Sequence, residues 1–360
     1  MTAVYAILLI GILIFVHELG HFILAKLVGI KVLKFSLGLG PALISRKYGE
    51  TIYQISALPV GGFVKMHGED QEPEQESGEL EEPERAFVSQ SVFKRFLVVS
   101  AGSVFNLLFA AFVFCTVLMI GIPKMMAVIG NVLPDSPARL ADLRKGDIVK
   151  AINGESIKHW DKLTGIIHDS ADKPLAISIR RGTEDMVIHV TPQKKVTKDI
   201  FGQDMEVGLI GISPNGDSEI ERYGPFDAIY LGFARTWDVI ALTLVSVVKL
   251  IQRVVPADTI GGPIMIFQLA GKQATSGFIS FLTFMAVISI NLGVFNLFPI
   301  PILDGGHILY LAIEGIRKKP LSAQVMAITQ KMGLAFLLLL MVFAVYNDVL
   351  RLLGKSPMPY

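Results

Sequence analysis

The sequence contains a single cysteine, Cys115, among its 360 residues. One thiol cannot form an intramolecular disulfide, and it cannot build a zinc site made of several thiolates. Charged residues are also scarce, at 18% of the chain against 52% hydrophobic residues, and the net charge is only +1. No stripe of basic residues with interleaved aromatics, the usual pattern of a nucleic-acid-binding surface, is present. The composition therefore favours a membrane protein with a soluble part.

Four apolar segments are long enough to cross a bilayer, which takes about 20 residues in a helix. The predicted spans are residues 1–28, 93–122, 278–304 and 333–353. A fifth apolar segment, Phe226 to Val255, carries Arg235, Asp238, Lys249 and Arg253. We predict that it forms an amphipathic helix on the outer surface. A crossing here would reverse the next span and move its polar end, which is a candidate part of the metal site discussed below, to the outer leaflet. The expected fold class is thus a multi-pass α-helical membrane protein with four transmembrane helices.

Basic residues give the predicted orientation of the spans. They are concentrated after the first span and before the second, and again between the third and fourth, as Lys26, Lys31, Lys34, Arg46, Lys47, Lys65, Lys94, Arg95, Arg317, Lys318, Lys319 and Lys331. The positive-inside rule places both of these loops in the cytoplasm. Both termini are then extracytoplasmic.

The stretches between the spans differ in composition. Residues 29–68 read as short strands separated by glycine and proline, with Gly61 and Gly62 before a last strand. Residues 69–92 begin with a run rich in acids, which predicts a solvated cytoplasmic linker. Residues 305–332 are expected to form a cytoplasmic loop, and residues 354–360 a tail. The remaining long segment, 197–277, is expected to be extracytoplasmic and to contain the surface helix.

The segment 123–196 is long enough for a small folded domain. Apolar strands alternate with turn residues, and Asn153-Gly154 between two of them is a strong hairpin signal. The string Ser136-Pro-Ala, Lys145-Gly-Asp-Ile-Val149 and Asn153-Gly154 looks like an extracytoplasmic PDZ-like α+β domain. Such a domain would bind peptide C-termini on a loop of backbone N–H groups. An ordinary small β-domain that only limits access is the alternative.

His17, Glu18 and His21 form an H-E-x-x-H pattern inside the first predicted span. Residues four apart share a helix face, so both imidazoles can bind one metal ion, and Glu18 can take a proton from a water on that metal. Ionisable side chains within lipid are costly and are by default functional. The pattern therefore predicts a hydrolytic metal site within the bilayer, toward its cytoplasmic side.

Catalytic zinc needs a third protein ligand and an open position for water. The end of the third span, Asn291 to His307, supplies Asp304, and His307 is the second choice for that ligand. Pro299 and Pro301 should break the helix there. Asn106 in the second span is expected to pack or hydrogen-bond between helices rather than to take part in chemistry.

These blocks together resemble the site-2 protease family of intramembrane zinc metalloproteases, in particular its bacterial RseP type. The resemblance extends from H-E-L-G-H through Pro59-Val-Gly-Gly-Phe-Val-Lys-Met66, Ala101-Gly-Ser-Val-Phe-Asn106 and Gly261-Gly-Pro263 to Asn296-Leu-Phe-Pro-Ile-Pro-Ile-Leu-Asp304-Gly. It implies one Zn²⁺ ion held by His17, His21 and Asp304, with Glu18 as the catalytic base. It also implies a membrane-re-entrant β-sheet and a location in a bacterial cytoplasmic (inner) membrane. The 123–196 segment has room for one PDZ-like domain, whereas the best-known architecture has two in tandem.

Substrate-binding roles are implied by the resemblance for Asn291, Asn296, Pro299 and Pro301. Gly61 and Gly62 are added because a strand edge there could hold an unwound substrate by β-addition. A plain turn is the alternative for the two glycines, and bonding between helices is the alternative for the two asparagines.

The favoured function is therefore intramembrane proteolysis. The expected substrates are single-span membrane proteins already cut outside, such as anti-sigma factors, and remnant signal peptides. The alternative is a non-catalytic, PDZ-containing membrane adaptor that captures exposed C-termini. A transporter is disfavoured because the spans carry few charges outside the H-E-x-x-H pattern. The bilayer is an expected partner and nucleic acid is not.

Overall fold

The computed structural model describes residues 2–69 and 82–354, with the backbone alone at residues 59 and 60. Residues 70–81 of the predicted acidic linker and residues 355–360 of the predicted tail lie outside this range. The chain divides into two compact units. The first comprises Met1–Val117, Pro225–Val245 and Pro256–Tyr360, and the second Leu118–Gly224 and Ser246–Val255. We call the first the helical unit and the second the α+β unit.

The helices of the described residues follow one another along the chain as α1 Thr2–Leu27, α2 Val92–Ile120, α3 Pro137–Leu140, α4 Trp160–His168, α5 Pro225–Ile251, α6 Pro263–Ser276, α7 Phe278–Asn296, α8 Asp304–Arg317 and α9 Ala323–Leu352. Helix starts follow local chemistry. Ser322 caps α9 by accepting a hydrogen bond from the Val325 N–H, and Pro225 occupies the first turn of α5. By length and composition, five of these helices could cross a membrane, namely α1, α2, α5, α7 and α9.

The strands of the described residues are β1 Val32–Tyr48, β2 Thr51–Met66, β3 Ile122–Met125, β4 Ile129–Val132, β5 Ile148–Ile152, β6 Glu155–Ser156, β7 Leu175–Arg181, β8 Glu184–Val190, β9 Gln193–Lys198, β10 Asp204–Leu209, β11 Ile212–Pro214 and β12 Ser218–Glu221. β1 and β2 belong to the helical unit, and β3 to β12 belong to the α+β unit.

β1 and β2 pair antiparallel and are long enough to fold back on each other. Phe35 in β1 therefore has Val64 of β2 on one side and Tyr53 of β2 on the other. This part of the sheet packs on the end of α1, where Ala25, Ile30 and Val32 are fully buried with Phe35. The expected strands in residues 29–68 are present, and Gly61-Gly62 lies inside β2 rather than in a separate turn.

The α+β unit has a four-stranded sheet with the order β6-β5-β7-β8. Asn153 and Gly154 join β5 to β6, both at positive φ (50° and 84°), so the hairpin predicted from this pair is present. A core that includes Leu163 of α4 and Ile177 of β7 fills the unit. β11 pairs with β4 and β12 pairs with β3, so the compact unit continues to Gly224 instead of ending at residue 196.

Two helices lie where none was expected. α8 occupies Asp304–Arg317, within the predicted cytoplasmic loop, because apolar residues recur there at helical spacing over a run that starts with an acid. α6 occupies Pro263–Ser276 in the segment 197–277. Its first turn is capped from another helix, since the Asp348 carboxylate of α9 accepts hydrogen bonds from the Gly262 and Met265 N–H groups at 2.9 and 3.1 Å. A cap supplied by such a distant residue cannot be predicted from the local sequence.

Candidate metal centre

α1 carries the H-E-x-x-H residues on one stretch of unbroken helix. The Nε2 atoms of His17 and His21 lie 3.3 Å apart, and the two rings meet edge to face at 84°. The four-residue spacing thus brings both imidazoles to one point beside α2, as predicted from helix geometry.

Asp304 reaches the same point from a different helix than expected. α7 ends at Asn296, the chain turns through residues 297–303, and Asp304 is the first residue of α8 rather than the last of the third span. The prolines explain this break, because Pro299 and Pro301 lack the N–H that would continue the helix. Ile302 has φ of 92°, a strained conformation for a β-branched residue that costs about 1–3 kcal/mol. Asp304 Oδ2 lies 3.4 Å from His17 Nε2 and 3.6 Å from His21 Nε2.

α2 packs directly against His17, His21 and Asp304. Gly102 has no side chain, and a Cβ at that position would collide with Nε2 of His21 and with the His17 ring. The Val98 carbonyl accepts a hydrogen bond from His21 Nδ1 at 2.8 Å, and Ser103 Oγ donates to Asp304 Oδ2 at 3.3 Å. Asn106 Nδ2 lies 3.1 Å from His17 Nδ1. Gly102, Ser103 and Asn106 stand out in the sequence as small or polar residues in an otherwise apolar helix. Their contacts with the histidines could not be predicted from the sequence.

The donor set fits zinc. Two imidazole nitrogens and one carboxylate are a known catalytic zinc set, with bonds of about 2.0–2.2 Å. In a tetrahedron with such bonds, neighbouring ligand atoms are about 3.4 Å apart. The three separations of 3.3, 3.4 and 3.6 Å match that edge length. His17, His21 and Asp304 could therefore hold one ion without a change in backbone position.

His307 does not join this cluster among the described residues. It lies one turn further along α8, where its ring packs on Tyr310 with the centroids 6.0 Å apart. The carboxylate is thus the third group that the structure brings to the histidines.

β2 passes directly beside the catalytic candidate Glu18. A Cβ on Gly62 would lie 3.0 Å from Glu18 Cγ and 2.9 Å from Ile14 Cγ2, so only glycine allows this approach. Gly62 pairs with Leu37 of β1 on one side, and no strand within residues 2–69 and 82–354 pairs with its other side. Gly61 has φ of 83° and faces Leu39. Both glycines therefore shape a strand edge next to Glu18.

The other four predicted substrate residues are divided between α7 and the turn after it. Asn291 lies inside α7 and contacts Thr243 of α5, whereas Asn296 is the last residue of α7. Pro299 and Pro301 line a shallow apolar groove with Met332 and Phe336 of α9. The structure thus brings the prolines against α9 and Asn291 against α5, instead of gathering all four around the metal ligands.

Comparison with known proteins places the chain among metalloproteases. Residues 5–340 match the model of a protein family described as peptidase family M50. A Campylobacter jejuni protein named as a zinc metalloprotease is 36% identical over 349 residues, which cover 97% of this chain and 93% of that protein. The regulator of sigma-E protease RseP of Escherichia coli strain K12 is 30% identical, with 96% of this chain and 98% of that protein covered.

A solved PDZ domain of an SdrC-like protein from Listeria monocytogenes is also similar to part of the chain. It is 22% identical, covers 26% of this chain and 90% of that domain, and has a TM-score of 0.19. A TM-score this low does not establish a fold for the α+β unit.

Proposed function

Because the chain belongs to peptidase family M50, the site-2 protease family, and is a membrane zinc metalloendopeptidase, we propose that it cleaves peptide bonds within the bilayer. The substrates proposed are single-span membrane proteins that have already been cut outside, including proteins like anti-sigma factors and remnant signal peptides. The observation that carries this proposal is the meeting of His17, His21 and Asp304, brought from α1 and α8 to ligand spacing inside an apolar bundle.

The roles of the residues follow from their positions. One zinc ion, when bound by His17, His21 and Asp304, would polarise the scissile carbonyl and acidify a water molecule. Glu18 accepts the proton of the attacking water and passes it to the leaving amine. Ser103 holds the Asp304 carboxylate, and Gly102 leaves room for both imidazoles. The chemistry thus needs groups from α1, α2 and α8 at once.

A helical substrate hides its peptide bonds in its own hydrogen bonds, so it must unwind before attack. The strand edge at Gly61 and Gly62 lies beside Glu18, where it can pair with an extended substrate backbone. Asn291 and Asn296 supply amide groups for the unwound backbone, and Pro299 and Pro301 keep the turn before Asp304 non-helical. The products are two membrane peptides that end where the helix was opened.

The proposed topology has four spans, α1, α2, α7 and α9, with both termini outside and the metal ligands toward the cytoplasm. α5 could cross by length alone. After α5, however, the backbone carbonyls of Ala257 and Ile260 accept hydrogen bonds from Asn347 near the C-terminal end of α9, at 3.1 and 3.3 Å. Residues 252–256 reach at most about 20 Å, which is less than the hydrocarbon core of about 30 Å. The end of α5 is therefore on the same side of the bilayer as the end of α9, which is the outer side in the proposed topology.

The α+β unit is proposed to lie outside the membrane and to act as a PDZ-like gate. It would exclude intact substrates by size, admit those shortened by a first cut, and bind their new C-termini. In the sequence the main part of this unit, Leu118–Gly224, lies between most of α2 and the start of α5. The bilayer assigned to the enzyme is the bacterial inner membrane.

Replacement of Glu18 by Gln tests the enzymatic proposal. The variant keeps the size of the side chain but loses the base, so a purified, zinc-loaded protein should bind a single-span substrate and fail to cleave it. A product map from membranes with either protein would give the cut position. Equal turnover by wild type and Glu18→Gln would reject the proposed role of Glu18, and binding of C-termini without any cleavage by wild type would support the adaptor instead.

The metal ligands can be tested in the same preparation. Asp304→Asn should weaken zinc binding by more than the about 10–100-fold that is typical of outer-shell changes. His307→Ala is the matched control on the same helix, and it should leave zinc binding unchanged. The reverse result would make His307 the third ligand.

A further inference from the structure

Asn106 is completely buried in α2, yet its side-chain oxygen has no hydrogen-bond partner among the described residues. An unpaired buried oxygen is costly, so its presence next to a functional centre calls for a physical reason. Only the nitrogen end of the carboxamide is paired, with His17 Nδ1 at 3.1 Å.

The hydrogen bonds around the two histidines form a continuous chain. His21 Nδ1–H donates to the Val98 carbonyl, which leaves Nε2 of His21 as an acceptor that faces His17 Nε2 at 3.3 Å. Asn106 Nδ2 lies 3.1 Å from His17 Nδ1, and with the carboxamide in this orientation the NH₂ group suits a neutral His17 whose ring proton is on Nε2. A protonated nitrogen has no lone pair for a metal, so with the proton on Nε2 His17 would not bind one through that atom.

Metal binding through Nε2 requires the other His17 tautomer. The proton must then be on Nδ1, where it would face the Nδ2–H₂ group of Asn106, and two donors repel each other. A turn of the carboxamide by 180° about Cβ–Cγ solves this, because both ends of an amide are similar in size. The unpaired Oδ1 then accepts the His17 Nδ1–H, as the Val98 carbonyl already does for His21.

We propose that Asn106 is a positioning residue for the zinc ligand His17: its side-chain oxygen accepts the His17 Nδ1–H and so directs the Nε2 lone pair to the metal. Metal-bound histidines typically donate their second N–H to an oxygen of this kind, which fixes ring and tautomer. The backbone of Asn106 is itself held, since its carbonyl accepts a hydrogen bond from Ser289 Oγ at 2.8 Å. This inference rests on the zinc site of the proposed function.

The test is zinc affinity of the full-length protein in detergent, measured by competition with a chelator. Asn106→Leu keeps the shape but has no acceptor, and it should weaken zinc binding about 10–100-fold. Asn106→Asp retains an acceptor oxygen and should stay within about threefold of wild type on the same scale. Ser289→Ala is the matched control, since it removes the neighbouring hydrogen bond and leaves the carboxamide in place, and it should bind zinc as wild type does.

A purely structural role would lower the thermal midpoint of zinc-free Asn106→Leu without a selective loss of zinc. If that variant does not fold, Asn106→Ala, which lacks the acceptor and adds no bulk, takes its place. Wild-type affinity in the folded acceptor-free variant overturns the inference, as does an Asp variant that binds zinc as weakly as the Leu variant. A wild-type protein that binds no zinc would reject the proposed site itself, so the two failures are distinguishable.

Discussion

The hydroxyl oxygen of Thr243 in α5 lies 2.8 Å from the side-chain oxygen of Asn291 in α7. This bond joins α5 to a residue of α7 that is proposed to bind unwound substrate. The Asn291 carboxamide is thus engaged by the protein itself before any substrate arrives.

Thr243→Val removes this bond with little change in shape, and we expect it to increase cleavage. A released Asn291 need not exchange an internal partner for the substrate, so kcat/KM should rise by about 2–10-fold, the equivalent of one ordinary hydrogen bond. Thr236→Val is the matched control on α5, because the Thr236 hydroxyl donates to the carbonyl of Gly232 within its own helix. Lower activity in Thr243→Val alone would show that the bond belongs to the active arrangement.

Gly102→Ala should weaken zinc binding and cleavage together. A methyl group at this position would push against both imidazole rings, and α2 is also packed against α7, where the Ser103 carbonyl lies against Gly293. We expect zinc affinity to fall at least about tenfold, as for other changes that misorient ligands. Gly11→Ala is the control: it lies on α1 with open space around it and should leave both measurements unchanged. Equal zinc affinity in the two variants would contradict the packing argument.

Asp348→Asn should destabilise the helical unit. The side chains of Asp348 and Arg351 form a buried pair at 3.2 Å, with 1% and 6% of their surface exposed. Loss of one partner from such a pair costs about 3–5 kcal/mol, since the remaining charge stays buried. The thermal midpoint in detergent should fall by roughly 5–20 °C. Glu82→Gln, which removes one partner of the exposed Lys31–Glu82 pair, should leave it unchanged. A small effect of Asp348→Asn would mean that water reaches Arg351.

The stability of the α+β unit should depend on Glu219 at acid pH. Lys158 at 2.7 Å and His159 at 2.9 Å hold the pKa of the Glu219 carboxyl below its usual 4.5. A carboxyl whose pKa is lower in the folded than in the unfolded protein stabilises the fold at pH values above its unfolded-state pKa. This stabilisation is lost as the pH falls through the pKa of the folded state. We therefore expect the urea midpoint of this unit to fall below about pH 4.5, and less so in Glu219→Gln.

The fluorescence of Trp160, which is buried in α4 beside His159, reports on this transition. The full chain contains two tryptophans, so a Trp237→Phe background leaves Trp160 as the reporter. Glu219→Gln should lower the midpoint near neutral pH and reduce its change between pH 6 and pH 3.5. An unchanged pH dependence in the variant would assign the acid sensitivity to other carboxyls.

The family and the zinc metallopeptidase activity could be predicted from the sequence, because H-E-x-x-H and the Asp304 block are local patterns with fixed spacing. The long helices α1 and α2 could also be predicted, since the cost of exposed backbone in lipid makes a continuous apolar run helical. Both kinds of signal depend only on neighbouring residues.

The features that could not be predicted depend on contacts between distant segments. α6 begins at a cap supplied by Asp348, more than eighty positions later in the chain. Asp304 is the first residue of α8 and not the last of the third span, and it follows the strained Ile302 by two residues. The sequence predicts Asn106 to be a helix-packing residue, whereas in the structure its side chain contacts the His17 ring. Spacing along the sequence carries no information on such pairings.

The three metal-ligand candidates also occupy opposite ends of the chain, with His17 and His21 in the first helix and Asp304 after the seventh. During synthesis and insertion, the histidines enter the bilayer long before the carboxylate exists. With the metal site as proposed, an unfinished chain would therefore lack the third ligand and should be unable to cleave peptide bonds. Proteolytic competence is reached only when insertion is nearly complete.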